Sequence, residues 1–190
     1  MDAFANLPGA VSSDGVVAHF GEPAQEQRRL LAGTAIAPLG DRTVIEVAGE
    51  DRLTWLDSIT SQALTRLAPG DSTELLVLDP QGRVEHAAGV LDDGATAWLI
   101  ADAEDAPPLA AWLSRMVFRS RVTVTVRTDL ALIGFFAGGS AESLARSTAL
   151  APNDLPLIWA DPWVAVRPGG HQYATVSEHP AEQYTWRVAI

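Results

Sequence analysis

Three apolar-rich segments follow one another closely in the middle of the chain: "STELLVLD", "RVEHAAGVL" and "TAWLIAD". Two short polar segments, "PQG" and "DDG", separate them. Glycine at such a position supplies the positive φ that a tight hairpin turn requires. The pattern therefore predicts a three-stranded antiparallel meander over roughly Leu75 to Asp102.

Four other segments have the spacing of an amphipathic helix. The longest is "DRLTWLDSITSQALTRLAPG", with Asp51 as the N-cap and Pro69-Gly70 as the stop. Its apolar positions recur every three or four residues: Leu53, Leu56, Ile59, Ala63 and Leu67. The shorter predicted helices are "EPAQEQRRLLAG", which ends before Gly33, "APPLAAWLSRMVF", and "SAESLARSTAL" with Ser140 as its N-cap.

Further strands are predicted on both sides of these segments. "RTVIEVAG" alternates as a strand does, and "SRVTVTVRTDLALIGFF" predicts one or two strands joined near Thr128-Asp129. "WVAVRPG" and "QYATVSE" are two more strand candidates, whereas "EQYTWRVAI" begins like an apolar helix. Helices are mixed with antiparallel hairpins and do not alternate strictly with strands, so the predicted fold class is α+β.

Composition and charge narrow the possible functions. The chain has 190 residues, 47% of them hydrophobic, which is enough for a real core. Its 24 acidic and 13 scattered basic residues give a net charge of -11, so we expect no nucleic acid or anionic membrane as a direct partner. Lysine and cysteine are absent, which excludes a Schiff-base lysine or a thiol nucleophile within these residues. No signal peptide or membrane-length apolar segment is apparent, and we expect a cytoplasmic protein.

His86 is the residue with the most suggestive position for chemistry. The four histidines are never paired at metal-ligand spacing, and strong catalytic motifs are absent from the sequence. In a strand over Arg83 to Leu91, His86 shares one face with apolar residues, while Glu85 lies on the opposite face. A histidine there is somewhat more often a core residue than a functional one. Small neighbours nevertheless leave room for a flat ring that accepts or donates a hydrogen bond.

Several motifs together indicate a family. They are "VIEVAGEDRLTWLDSITSQALTRLAPGD", "LLVLDPQGRV" and "WLSRMVFRSRVTV". From about Val16 to Ile190 the chain resembles folate-binding proteins related to the glycine cleavage T-protein (aminomethyltransferase), and most closely the YgfZ branch. The matching features are a strand, a Gly-x-Asp helix start, an aromatic-Leu pair, a Leu-x-x-Gly ending, a hairpin and a helix-to-strand passage.

The resemblance implies a fold of ferredoxin-like subdomains that bind tetrahydrofolate or a derivative in a central channel. It also connects the chain with iron–sulfur cluster assembly or maintenance, and possible partners are iron–sulfur proteins. His86 and the opposite edge at Ile100, Ala101 and Asp102 are the expected pterin contacts. Two alternatives stay open: an active aminomethyltransferase, and an interaction module without a ligand.

The chain departs from the family pattern at three places. The paired aspartates of the T-protein enzymes correspond to His86 and Ala87, and the family's Thr-Asn-Asp appears as Ser61-Gln62-Ala63. The YgfZ signature, Lys-Gly-Cys-Tyr-x-Gly-Gln-Glu, belongs beyond Ile190. We therefore expect an N-terminal tail over residues 1–15, and over 16–190 the N-terminal portion of a folate-binding domain cut at its C-terminal side. No aminomethyl transfer is expected.

Overall fold

The computed structural model describes residues 4–164, 181 and 183–190. The first part contains β1 (Val11–Ser13), β2 (Val16–His19), α1 (Pro23–Leu31) and β3 (Ala37–Pro38). The middle part contains β4 (Arg42–Ala48), α2 (Arg52–Ile59), β5 (Ser72–Leu78), β6 (Val84–Asp92), β7 (Thr96–Asp102), α3 (Ala106–Arg115) and β8 (Thr123–Arg127). The last part contains β9 (Ile133–Phe136), α4 (Ser140–Thr148), β10 (Ile158–Ala160), a 3₁₀ turn (Pro162–Val164) and β11 (Trp186–Ala189).

A five-stranded antiparallel sheet, in the order β5-β6-β7-β4-β8, forms the centre of the molecule. The predicted meander is confirmed, since β5, β6 and β7 are consecutive neighbours in this sheet. Its first turn uses the Asp79 carboxylate, which accepts hydrogen bonds from the Gln81 and Arg83 N–H groups, and Gly82 at a φ of 80°. Gly82 therefore supplies the positive φ that the sequence pattern predicts, and the Asp79 carboxylate stabilises the same turn.

The two faces of this central sheet are both covered. Helices α2 and α3 pack on one face around a core that includes Leu56, Val90, Leu99 and Leu109. A second antiparallel sheet, in the order β10-β11-β9-β3, faces the other side. The core on that side combines central-sheet residues with residues of the last part of the chain: Val44, Leu91, Trp98, Ile100, Leu132, Leu157, Val188 and Ile190. The fold class is α+β with antiparallel sheets, as predicted.

The helix predicted from Asp51 to Pro69 is shorter than the sequence indicates. It ends at Ile59, and Thr60 already has extended backbone angles. The Asp57 carboxylate accepts hydrogen bonds from the N–H groups of Leu64 and Thr65, which stabilises an irregular segment that buries Leu64 completely. A side-chain acceptor of this kind competes with the helical ladder, which explains the early end.

Asp51 is the N-cap residue of α2, as predicted, whereas the predicted N-cap of α4 is wrong. No cap hydrogen bond is made by the Asp51 side chain, which binds Arg121 instead. The fourth helix is capped by Gly139, and Ser140 is its first residue. In both cases the carboxylate or hydroxyl at the helix start has another position or partner than local sequence rules assume.

The C-terminal segment predicted as a helix is a strand. β11 pairs with β9 on one side and β10 on the other, so its backbone groups bond to two distant segments. Such long-range pairing overrides a local helical pattern. The sequence also gave no indication of β3, β10 or the hairpin of β1 and β2. Of the strand candidates "WVAVRPG" and "QYATVSE", Trp163 and Val164 belong to the 3₁₀ turn, and the rest lies outside the described residues.

Candidate functional site

A cavity of about 280 Å³ lies between the two sheets. The central sheet contributes one group of lining residues: Arg42, Glu74, Gly89 and Ile100. The second sheet and its connecting segments contribute the others: Leu39, Asp41, Trp159, Asp161, Trp186 and Val188. The walls are therefore mostly apolar and aromatic, with a few charged groups, which is the usual composition of a small-molecule site.

Two tryptophans form the aromatic walls because glycines make room for them. A Cβ on Gly89 would lie 2.9 Å from Trp159 Nε1, and a Cβ on Gly134 would lie 2.2 Å from the Trp186 ring. Trp159 is further fixed by a 2.8 Å hydrogen bond from its Nε1 to the Thr73 carbonyl. The Trp159 indole thus lies against bare backbone of the central sheet, and the Trp186 indole lies against bare backbone of the neighbouring strand in its own sheet.

The polar groups of the cavity are mostly carboxylates. Glu74 accepts a 2.7 Å hydrogen bond from Trp163 Nε1, and Asp161 accepts a 2.8 Å bond from the Trp163 N–H. Arg42 forms ion pairs with Asp41 and Asp102. The site therefore presents acceptors from two sides and one guanidinium that already has acidic partners.

The structure separates the four residues predicted as pterin contacts. Ile100 lines the cavity, and Asp102 lies on the same strand face and pairs with Arg42 at its rim. Ala101 is buried in the core on the helix side. His86 also lies on the helix side, where its Nδ1 is 2.7 Å from an Asp105 carboxylate oxygen at the start of α3. Whether any of them contacts folate stays a prediction.

The face of β6 that looks toward the second sheet contains different residues from those singled out. Gly89 lines the cavity, so alternation places Ala87 on the same side, where its side chain is exposed. Alternation does not extend to Glu85, because the pairing of β5 with β6 is irregular there. Of the two positions that correspond to the paired aspartates, Ala87 thus faces the cavity side, and it has no carboxylate to offer a substrate there.

Two buried acidic residues in the β6–β7 turn hold the scaffold behind the cavity. Asp92 forms a two-point ion pair with Arg52, at 2.7 and 2.8 Å, with both side chains almost fully buried. Asp93 accepts hydrogen bonds from Trp98 Nε1 and from the Ala95 and Thr96 N–H groups. Burial raises the pKa of Asp93, but these hydrogen bonds together outweigh it and hold the pKa below its usual range.

Sequence reasoning missed most of the cavity residues, including Trp159, Trp186 and Glu74. The available signal was an isolated glycine inside a strand pattern, which often marks the close approach of another group. Gly89 in "HAAGVL" and Gly134 in "LIGFF" are such positions. The sequence does not show which aromatic residue each glycine accommodates.

The fold has counterparts among solved structures. No protein-family model matches the chain, and no curated protein is similar to it in sequence. Among solved structures, the glycine cleavage system aminomethyltransferase T from Bartonella henselae is similar, with a TM-score of 0.55 and 15% identity. The similarity covers 82% of this chain and 41% of that protein, so the chain spans less than half of its length. The chain therefore has a T-protein-like fold.

Two further features of the chain bear on the kind of site. Among the described residues, no helix is long and apolar enough to cross a membrane. The same part of the chain contains no group of three or more histidine, aspartate or glutamate side chains arranged to hold a metal ion.

Proposed function

We propose that the chain binds a reduced folate, tetrahydrofolate or a derivative, with the pterin ring in the cavity between the two sheets. The observation that supports this most is the pair of tryptophans, Trp159 and Trp186, which lie on neighbouring strands of the second sheet and line the cavity of a T-protein-like fold. Folate is the ligand that the family resemblance implies.

The chemistry of the walls suits a pterin. A flat heterocycle stacks favourably on indole rings, and its ring N–H and amino groups require acceptors. Glu74 and Asp161 provide carboxylate oxygens beside the aromatic walls. The volume of about 280 Å³ is at the lower end of ligand pockets, roughly 300–1,000 Å³, so the ring fits inside and the remainder of the ligand extends outward.

Of the contacts predicted from the sequence, we retain Ile100 and Asp102 as residues that face the ligand. Ala101 and His86 contact the helices, so they act on the site only through the sheet. The His86–Asp105 hydrogen bond joins β6 to the start of α3 and holds the meander against that helix.

The finer biological role follows from the resemblance to the YgfZ branch. On that basis we propose a cytoplasmic protein that supports iron–sulfur cluster assembly or maintenance, with iron–sulfur proteins as partners. No catalytic residue is proposed, because Ala87 supplies no carboxylate on the cavity side.

Isothermal titration with 5-formyltetrahydrofolate tests the site. We expect one binding event, and Ile100→Trp, which fills the cavity, should weaken it at least about tenfold, equivalent to about 1.4 kcal/mol. Leu31→Trp is the matched control, because Leu31 is exposed on α1 and is not one of the residues that line the cavity. His86→Ala should change the affinity much less than Ile100→Trp does. No detectable binding, or equal affinity in Ile100→Trp and the unaltered chain, would disprove this site.

A further inference from the structure

The side of the central sheet that carries the cavity is strongly acidic. Four carboxylates line the cavity or lie next to it, and they are named here the acidic rim: Asp41, Glu74, Asp102 and Asp161. The only cation that lines the cavity among the described residues is Arg42. The charge at the mouth of the cavity therefore has the same sign as the net charge of the whole chain.

Arg42 already has two acidic partners beside its guanidinium. Its Nε lies 3.4 Å from an Asp41 oxygen, and its Nη1 pairs with Asp102. An incoming carboxylate must compete with both of these partners and approach their negative charges. In a partly exposed site such competition is unfavourable, because like charges repel within the screening length.

Two further arginines of the described residues, Arg127 and Arg187, also have protein partners. Arg127 is held by Glu46 and Asp129. Arg187 lines a neighbouring cleft with Asp71 and Asp161, and its Nη1 donates to the Trp186 carbonyl. Arg187 is therefore a guanidinium in the cleft next to the cavity, within the part of the chain that the structure describes, and it lies beside two carboxylates.

We infer that the site selects its ligand by the charge of the tail: it takes reduced pterins with a short or uncharged tail and discriminates against polyglutamate forms. The inference rests on the proposed function and adds the substrate class. Tryptophan walls and carboxylate acceptors serve the ring, while each added glutamate brings one more carboxylate to the acidic rim. Contacts with the pterin ring therefore provide the affinity, and the acidic rim determines the preference for ligands with few carboxylates.

The experiment compares three ligands by isothermal titration: 6-methyltetrahydropterin, 5-formyltetrahydrofolate, and the triglutamate of the latter. At about 0.1 M salt, where the screening length is about 10 Å, we expect the triglutamate to bind at least about fivefold more weakly than the monoglutamate. At about 1 M salt, where it is about 3 Å, the difference should shrink to within about twofold. The tail-free pterin should bind about as well as the monoglutamate.

Charge variants show whether the rim is the cause. Asp41→Asn with Asp102→Asn frees Arg42 and should remove or reverse the preference, whereas Asp14→Asn with Glu22→Gln removes the same charge near the N-terminal hairpin and should leave it intact. If the triglutamate binds as tightly as the monoglutamate or more tightly at low salt, the selectivity is wrong but the folate site stands. The same holds if replacing Arg187 by glutamine weakens triglutamate binding. If none of the three ligands binds, the folate site and the selectivity fail together.

Discussion

At the scale of single residues, the molecule depends on a charged pair that the sequence did not reveal. Arg52 and Asp92 are 40 positions apart, and both side chains are almost fully buried behind the cavity. Removing one partner of such a pair leaves an uncompensated buried charge, which is more costly than the pair itself is favourable. The arginine of "GEDRL" and the aspartate of "VLDDG" read as surface residues when they are considered separately.

Arg52→Met should lower the free energy of unfolding by about 3–5 kcal/mol. Adding Asp92→Leu should recover much of this loss, but not all, because the Gly94 N–H also donates to Asp92. Urea unfolding followed by tryptophan fluorescence measures both effects. Arg66→Met, at an exposed position, is the control, and its free energy of unfolding should stay within about 0.5 kcal/mol of that of the unaltered chain. A loss below about 1 kcal/mol in Arg52→Met would mean that the pair is not desolvated as the structure indicates.

Asp93 makes stability depend on pH. Its pKa in the folded chain lies below the ordinary value of 3.8, so its stabilisation is fully present above that value and is lost as pH falls through the lower folded pKa. Asp93→Asn should therefore have a free energy of unfolding about 1–2 kcal/mol lower than that of the unaltered chain at pH 7. This difference between the two proteins should become smaller below about pH 4. Parallel urea titrations from pH 7 to pH 3 measure it, with Asp14→Asn in the exposed N-terminal hairpin as the control. A difference that is constant over this range contradicts the assignment.

At the scale of elements, local patterns predicted the parts whose partners are close in sequence. The meander has two short turns, and its period of two placed His86 on one apolar face with Ala88 and Val90. In the structure this face packs against the helices. The C-terminal half of the predicted helix after Asp51 was wrong because Asp57 bonds the following backbone. The helix predicted near Trp186 was wrong because its partners β9 and β10 lie far away in sequence.

The contact between β6 and Trp159 shows how an element can control the site. In Gly89→Ala the new Cβ would be 2.9 Å from Trp159 Nε1, so the indole must rotate and its bond to the Thr73 carbonyl weakens. We expect a loss of about 1–3 kcal/mol in stability, as for overpacked cores, and a shift of tryptophan emission. Ala87→Ser, two residues earlier on the same exposed side, is the control and should change neither. Unchanged unfolding and emission in Gly89→Ala would show that Trp159 does not lie against this strand.

At the scale of the whole molecule, the candidate site is formed by segments that the sequence separates. Its walls come from positions near 40, from the central strands, and from residues 159–161 and 186–188. Ile100 was identified beforehand because it lies in the meander, whereas the tryptophans come from a sheet whose pairing was not predicted. A site between two sheets becomes visible only when both sheets are in place.

Because Ala87 has no carboxylate, we expect the whole molecule to lack aminomethyltransferase activity. An aminomethyltransferase needs a negative group beside the reacting methylene carbon, and removing such a preorganised group costs several kcal/mol of transition-state stabilisation. Ala87 is on the cavity side and His86 is bound to Asp105 on the other, so neither provides that group. We expect the chain, mixed with an aminomethyl-lipoyl donor and tetrahydrofolate, to form no methylene-tetrahydrofolate above a protein-free control, as measured by chromatography. An active aminomethyltransferase in the same assay confirms that the donor is competent, and product formed in stoichiometric amount by this chain would establish it as an enzyme instead.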